Sequence, residues 1–313
     1  MTDHTLDTRA TWRDTALGAR RAVALPEGAI DVFHSGAGEP VVFLHGVLSN
    51  ANLWRGVIPP LAREFHCVAI DLPLGSHTRP LPGADDLTPP GLAGLVIGVL
   101  EALDLGPVTL VGNDSGGAIS QLVLAARPDL IQRLILTSCD AYENFPPPAY
   151  RYLSLLPRLP GGMALIGIGM RSNLIRRLPN AYGWLSREPI DPAASDSYTR
   201  PVDRSRDIRA DLRRVLRGID KKHTLTAARS FATFPRPVLL AWSADDRFFT
   251  RRWADRLAAD FPDARLELIP GARTYSPEDQ PALLSTTIAT FLHNTTDDSG
   301  SAAESPTPAA ESR

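Results

Sequence analysis

Residues 107–118 read PVTLVGNDSGGA. A short run of Val, Thr and Leu, suited to a buried strand, enters a cluster of small residues and continues into helix-forming text, AISQLVLAA. A strand that turns on glycines directly into a helix has the form of a nucleophile elbow, a strained turn that lifts one side chain above the end of a sheet. Gly112 and Gly116 bracket Asp114, so Asp114 is the raised residue. Ser115 follows it, and its backbone N–H can face a developing oxyanion. The competing reading is a tight strand–helix turn with no chemistry.

Outward from this turn the chain alternates. Apolar runs at 40–44, 67–70, 107–111, 133–137, 237–241 and 265–269 read as strands covered on both faces. Helix-length segments separate them at 91–104, 117–126, 251–260 and 280–292, which predicts a doubly wound, mostly parallel α/β sheet. Residues 20–34 add an antiparallel start turning at Pro26-Glu27-Gly28. Between 141 and 222 no buried-strand run occurs, so a helical lid is expected there, inserted after the sixth strand. The catalytic core is then 19–140 together with 223–293. Residues 1–18 are expected to be flexible, 294–313 to form a disordered tail, and Thr224 to cap a helix.

The 313 residues carry 33 basic and 35 acidic side chains, a net charge of −2 that offers no global field for a nucleic-acid backbone. No apolar run reaches the roughly 18 residues of a membrane span, so no membrane partner is expected. Two cysteines, Cys67 and Cys139, form neither a disulfide framework nor a metal spacing. With a polar N-terminus, this points to the cytoplasm. No metal or organic cofactor motif is present. The expected partner is a hydrophobic small molecule, bound by a monomer or homodimer. The run LSLLPRLPGGMALIGIGM (153–170) would give the lid an apolar inner face, and the nine basic and four acidic residues of 200–222 read as a solvated helix face.

The elbow, together with His45-Gly46 closing the strand PVVFL, DLPLGSH at 71–77 and Asp246 in AWSADDRFF, resembles the α/β-hydrolase superfamily over about residues 20–293. The resemblance implies oxyanion donors at the backbone N–H groups of Val47 and Ser115, and an acidic triad member at Asp246. An aspartate at the elbow is similar to the branch of epoxide hydrolases and haloalkane dehalogenases, in which the carboxylate attacks carbon. Asp140 occupies an alternative position for the acid. The family's histidine belongs in the phrase that here reads Pro270-Gly271-Ala272-Arg273-Thr274-Tyr275, where Thr274 stands in its place. A threonine cannot accept a proton near neutral pH. The halide-binding Trp and Asn positions hold Ser115 and Val47.

Catalytic candidates are therefore Asp114, Asp246 and Asp140. Pocket candidates are His45, Asn113, Tyr142, Tyr150, Trp184, Thr274 and Tyr275. The reading is an enzyme with an incomplete triad that performs non-hydrolytic acid/base chemistry on a hydrophobic intermediate: C–C bond formation, cyclisation or isomerisation. DLPLGSH, GNDSGG, CDAYENFPP and SPEDQP also resemble actinobacterial hydrolase-like proteins of natural-product pathways, including those of anthraquinone-fused enediynes. An Asp-nucleophile hydrolase of the epoxide hydrolase kind and a non-catalytic binding protein remain as alternatives.

Overall fold

The computed structural model describes residues 7–301. Eight strands form one sheet in the order β1-β2-β4-β3-β5-β6-β7-β8, comprising Ala19–Leu25, Gly28–Ser35, Pro40–Leu44, His66–Ile70, Val108–Asp114, Ile131–Cys139, Val238–Ser243 and Ala264–Ile269 in chain order. The pairs β1–β2 and β2–β4 are antiparallel, and every pair from β4 through β8 is parallel. The expected doubly wound architecture is present. Strands β3 and β5 bury nearly every side chain because helices cover both faces. Those helices include Pro89–Ala102, Ser115–Ala126, Arg251–Asp260 and Pro281–Ser301. Parallel strands bring the C-terminal ends of β3, β5, β6 and β7 to one edge, where open α/β sheets place their ligands.

Between β6 and β7 the chain forms only helices and turns, and it folds back over that edge. Polar contacts fasten it there. The Tyr198 hydroxyl donates to Glu278 (2.8 Å), which also takes both Arg55 terminal nitrogens (2.6 and 2.7 Å). Asn50 donates to Ser197, and the Tyr182 hydroxyl donates to Leu48 O (2.6 Å).

Three boundary expectations change. Residues 7–18 are docked rather than loose: Arg13 donates to Asp71 (2.6 Å) and Ser76 O (2.9 Å), while Ala10 and Leu17 are fully buried. A buried ion pair with its hydrogen bonds made is enough to order a polar segment. The last helix continues to Ser301, past the expected limit at 293, because Thr295 turns inward and accepts from Arg133 (2.6 Å). The remainder of both expected flexible ends, 1–6 and 302–313, lies outside the described residues. Asp220 rather than Thr224 caps the helix Lys221–Ala227, accepting from the Lys222 N–H, and Thr224 donates inward to Tyr142 O.

Candidate active site

Asp114 ends β5 with φ 54° and ψ −128°, a backbone state that costs a non-glycine residue about 1–3 kcal/mol. The turn closes only because its neighbours lack side chains. A Cβ on Gly116 would stand 2.5 Å from Leu44 O, and one on Gly117 would stand 2.3 Å from the Cys139 Cβ. Gly46 plays a further part: a Cβ there would lie 2.1 Å from Asp114 Oδ2, so the carboxylate rests directly on the Gly46 backbone. The glycine of the His-Gly pair thus makes room for the raised side chain.

Above Asp114 lies a cavity of about 250 Å³. Its floor is Val47, Leu48, Asp114, Ser115 and Asp140. Its roof is aliphatic and aromatic, from Leu153, Leu156, Met170, Tyr182 and other lid residues. Among the described residues lining it, no basic side chain and no histidine appears. The two aspartates are the only carboxyls there.

Burial dominates their electrostatics. It pushes the Asp114 carboxyl up to about 7, with the nearby Asp246 charge adding to the rise and the Ser115 N–H opposing it. Asp140 is raised well above the carboxylate range, by burial first and by Asp114 second, while the Ser115 hydroxyl counters. The two carboxyls interact strongly enough to titrate as a pair. Asp246 is pushed up to about 6, again by enclosure. Its Oδ1 accepts from the Phe248 and Phe249 N–H groups (2.8 Å each). Although part of the residue meets solvent, Oδ2 is sealed and unpartnered.

Thr274, fully buried, stands beside Asp246 and holds its rise down, yet the hydroxyl makes no hydrogen bond of good geometry. The Tyr275 hydroxyl is likewise buried without a hydrogen bond of good geometry, beside Ser49 and close enough to Asp114 to feel its charge. Neither side chain lines the cavity.

Of the residues expected in the pocket, Tyr150 lines it, packs against Phe248 with centroids 4.8 Å apart and the rings tilted by 53°, and donates to Ala181 O (3.2 Å). Four others are placed elsewhere. His45 is fully buried behind the floor: the Leu72 N–H donates to its Nε2 (2.9 Å), which leaves the proton on Nδ1 for Gly46 O (2.9 Å). Burial holds its pKa down to about 4, so it is a neutral brace for the loop. Asn113 faces away from the cavity, donating to Thr274 O (2.7 Å) and the Thr137 hydroxyl (2.9 Å), as strand alternation next to a raised Asp114 requires. Tyr142 turns toward the helix Arg251–Asp260, donating to Asp260 (2.7 Å) beneath Arg256. Trp184 packs on Phe248 under the Arg247 guanidinium, outside the lining. Tyr152 and Tyr182, which the sequence offers with Tyr142, Tyr150 and Tyr198 as lid tyrosines, also line the cavity, whereas Leu48 on its floor was missed. The unusual positive φ of Leu48 (55°) has no signal in its residue type.

The elbow, the oxyanion loop and the acid after β7 thus meet at one edge of a parallel sheet. Residues 39–281 match the family model described as alpha/beta hydrolase fold. The chain belongs to that family. Among relatives of this α/β-hydrolase-fold protein, the uncharacterized hydrolase YugF of Bacillus subtilis (strain 168) is 28% identical over 257 residues, covering 81% of this chain and 90% of its own. The cis-3-alkyl-4-alkyloxetan-2-one decarboxylase of Shewanella oneidensis is 24% identical over 295 residues, covering 90% of this chain and 91% of its own. A solved structure of the haloalkane dehalogenase DbeA-M1 loop variant from Bradyrhizobium elkanii superposes with a TM-score of 0.76 at 19% identity, covering 90% of this chain and 99% of that one. That likeness establishes the fold.

Proposed function

We propose that this protein is an enzyme of non-hydrolytic acid/base chemistry, with Asp114 as the proton-transferring group on an apolar natural-product intermediate. The observation that carries the reading is a carboxyl with pKa near 7 at the floor of an apolar cavity that has no histidine in its lining. Such a group is half ionised at neutral pH and can both take and return a proton, whereas an ester on Asp114 would have no adjacent base to activate water. The Val47 and Ser115 N–H groups border the floor and would stabilise negative charge developing on a carbonyl or enolate oxygen. Asp140, whose carboxyl is pushed upward by burial and then by Asp114, stands beside Asp114 as a second group able to carry the proton. Asp246 and Thr274 set the electrostatics behind it. The apolar lining without a cation favours an uncharged, hydrophobic substrate, and proton transfer without water suits isomerisation, cyclisation or C–C bond formation. A relative named as a decarboxylase supports the view that this fold carries reactions other than hydrolysis. Two free, buried cysteines suit a reducing cytoplasm.

The epoxide hydrolase reading needs a tyrosine free to donate to the epoxide oxygen. Three tyrosines line the cavity, but each hydroxyl already donates to a backbone carbonyl: Tyr150 to Ala181, Tyr152 to Asn180 and Tyr182 to Leu48.

Single turnover in heavy-oxygen water separates the mechanisms. Base catalysis leaves Asp114 unlabelled, as read by peptide mass, while label in its carboxylate establishes ester hydrolysis and overturns the proposal. Thr274→His sharpens the test: if an ester forms on Asp114, a base beside Asp246 releases it with label in the Asp114 carboxylate, so a variant that still leaves Asp114 unlabelled supports base catalysis. Retention of full turnover by Asp114→Asn would leave only a binding role.

A further inference from the structure

The lid's outer surface departs from the rest of the molecule in two ways. Leu155, Leu159, Leu165, Ile168, Leu174 and Leu178 are all exposed, by between 43% and 75% of their surface. Large aliphatic side chains left in water so close together in sequence mark a contact surface. The second departure is electrostatic. Residues 144–187 contain six arginines and no aspartate or glutamate, within a chain whose net charge is −2. Carboxylates from elsewhere pair with three of them: Asp203 with Arg171, Asp196 with Arg176 and Asp245 with Arg187. Arg151, Arg158 and Arg177 are exposed and have no carboxylate partner among the described residues. The surface is continuous with the cavity, because Leu165 and Leu178 also line it, and Ile168 lies one turn beyond Leu165 on the helix Gly162–Gly169.

We propose that this face docks on an anionic lipid surface, with the exposed leucines in the interface and the three free arginines at the headgroups. The apolar cavity then opens onto the phase in which a hydrophobic ligand dissolves. Charge decides against a second copy of the chain. A two-fold dimer sets the same patch against itself, so the unpaired arginines would face one another across a desolvated contact, the neighbouring carboxylates being already engaged by Arg171, Arg176 and Arg187. Aliphatic groups interspersed with basic ones, without acids, match the composition of surfaces that lie in a bilayer interface. The inference is independent of what Asp114 does. It is also compatible with the lack, among the described residues, of any helix long and apolar enough to cross a membrane.

The test is sedimentation of the full chain with vesicles of phosphatidylcholine containing phosphatidylglycerol, against vesicles of phosphatidylcholine alone. Strong binding to the anionic vesicles is expected at low salt and should be largely lost at about 0.5 M NaCl. Arg158→Gln with Arg177→Gln should weaken it about 25-fold, at roughly fivefold for each charge removed. Ile168→Asp with Leu174→Asp should weaken it by more than about tenfold. Neither of these last two residues lines the cavity, and unchanged thermal unfolding of both variants confirms that they fold. Absence of binding to anionic vesicles, or equal binding by the variants, would overturn the proposal. So would a concentration-dependent dimer in sedimentation velocity that Ile168→Asp with Leu174→Asp dissolves.

Discussion

The floor and the roof of the cavity are built on opposite principles. On the floor, positions are set by backbone geometry: Asp114 is held at a positive φ, its carboxylate rests on Gly46, and Asp246 accepts two N–H groups. The roof is aliphatic, is fastened to the core by polar bonds at its edges such as Tyr198–Glu278, and leaves several leucines in water. The floor tolerates few alternatives because chemistry needs a reacting group placed within a fraction of an ångström. The roof needs only shape and polarity, which many side chains supply.

That contrast orders the expected effects of substitution. Asp114→Asn should lower turnover by about 10²–10⁴-fold, the range lost with a positioned acid/base group. The same change should stabilise the chain in alkaline solution. Burial pushes the carboxyl from an ordinary value of about 4 in the unfolded chain up to about 7 when folded, so the folded form holds the proton more tightly. The wild-type chain is therefore at its most stable, with respect to this group, below pH 4, and loses that stability as pH rises through 7. Thermal unfolding at pH 9 should show Asp114→Asn more stable, by on the order of 2–4 kcal/mol.

Gly46→Ala should reduce turnover by about 10²-fold, since the new methyl must displace the Asp114 carboxylate, while leaving the far-ultraviolet circular dichroism unchanged. Wild-type activity above the floor should climb with pH through about 7 and then level off. A profile flat from pH 5 to 9 would contradict a base with that pKa. On the roof, Leu156→Ala should raise KM by about tenfold with kcat nearly unchanged, the signature of lost uniform binding. The smallest effect is expected at the fastening: Tyr198→Phe should cost about 1–2 kcal/mol in urea unfolding, because buried Glu278 loses one of its donors.

The legibility of the two regions followed the same division. Apolar runs, glycine spacing and the absence of strand text from 141 to 222 were enough for the parallel sheet, the elbow at Asp114 and the lid, because period and turn chemistry are local properties of the chain. Local text also identified Asp246 and Thr274, which lie side by side. It failed for His45, Asn113, Tyr142 and Trp184. Each lies within two positions of a cavity residue or in the lid segment, but its side chain faces the other way. Direction depends on which partner waits on each side of a strand or loop, and that partner comes from distant sequence: Leu72 for His45, Thr274 for Asn113, Asp260 for Tyr142.

Arg13 and Thr295 show the same effect at the chain ends, where polar text that reads as unstructured is ordered by Asp71 and Arg133. By itself, then, the 313-residue sequence determined the sheet, its order of helices and the identity of the raised aspartate. Tertiary structure alone decided the protonation of that aspartate. Its pKa near 7 arises from burial beneath a lid and from a carboxylate 132 positions away, Asp246, and no local pattern encodes either.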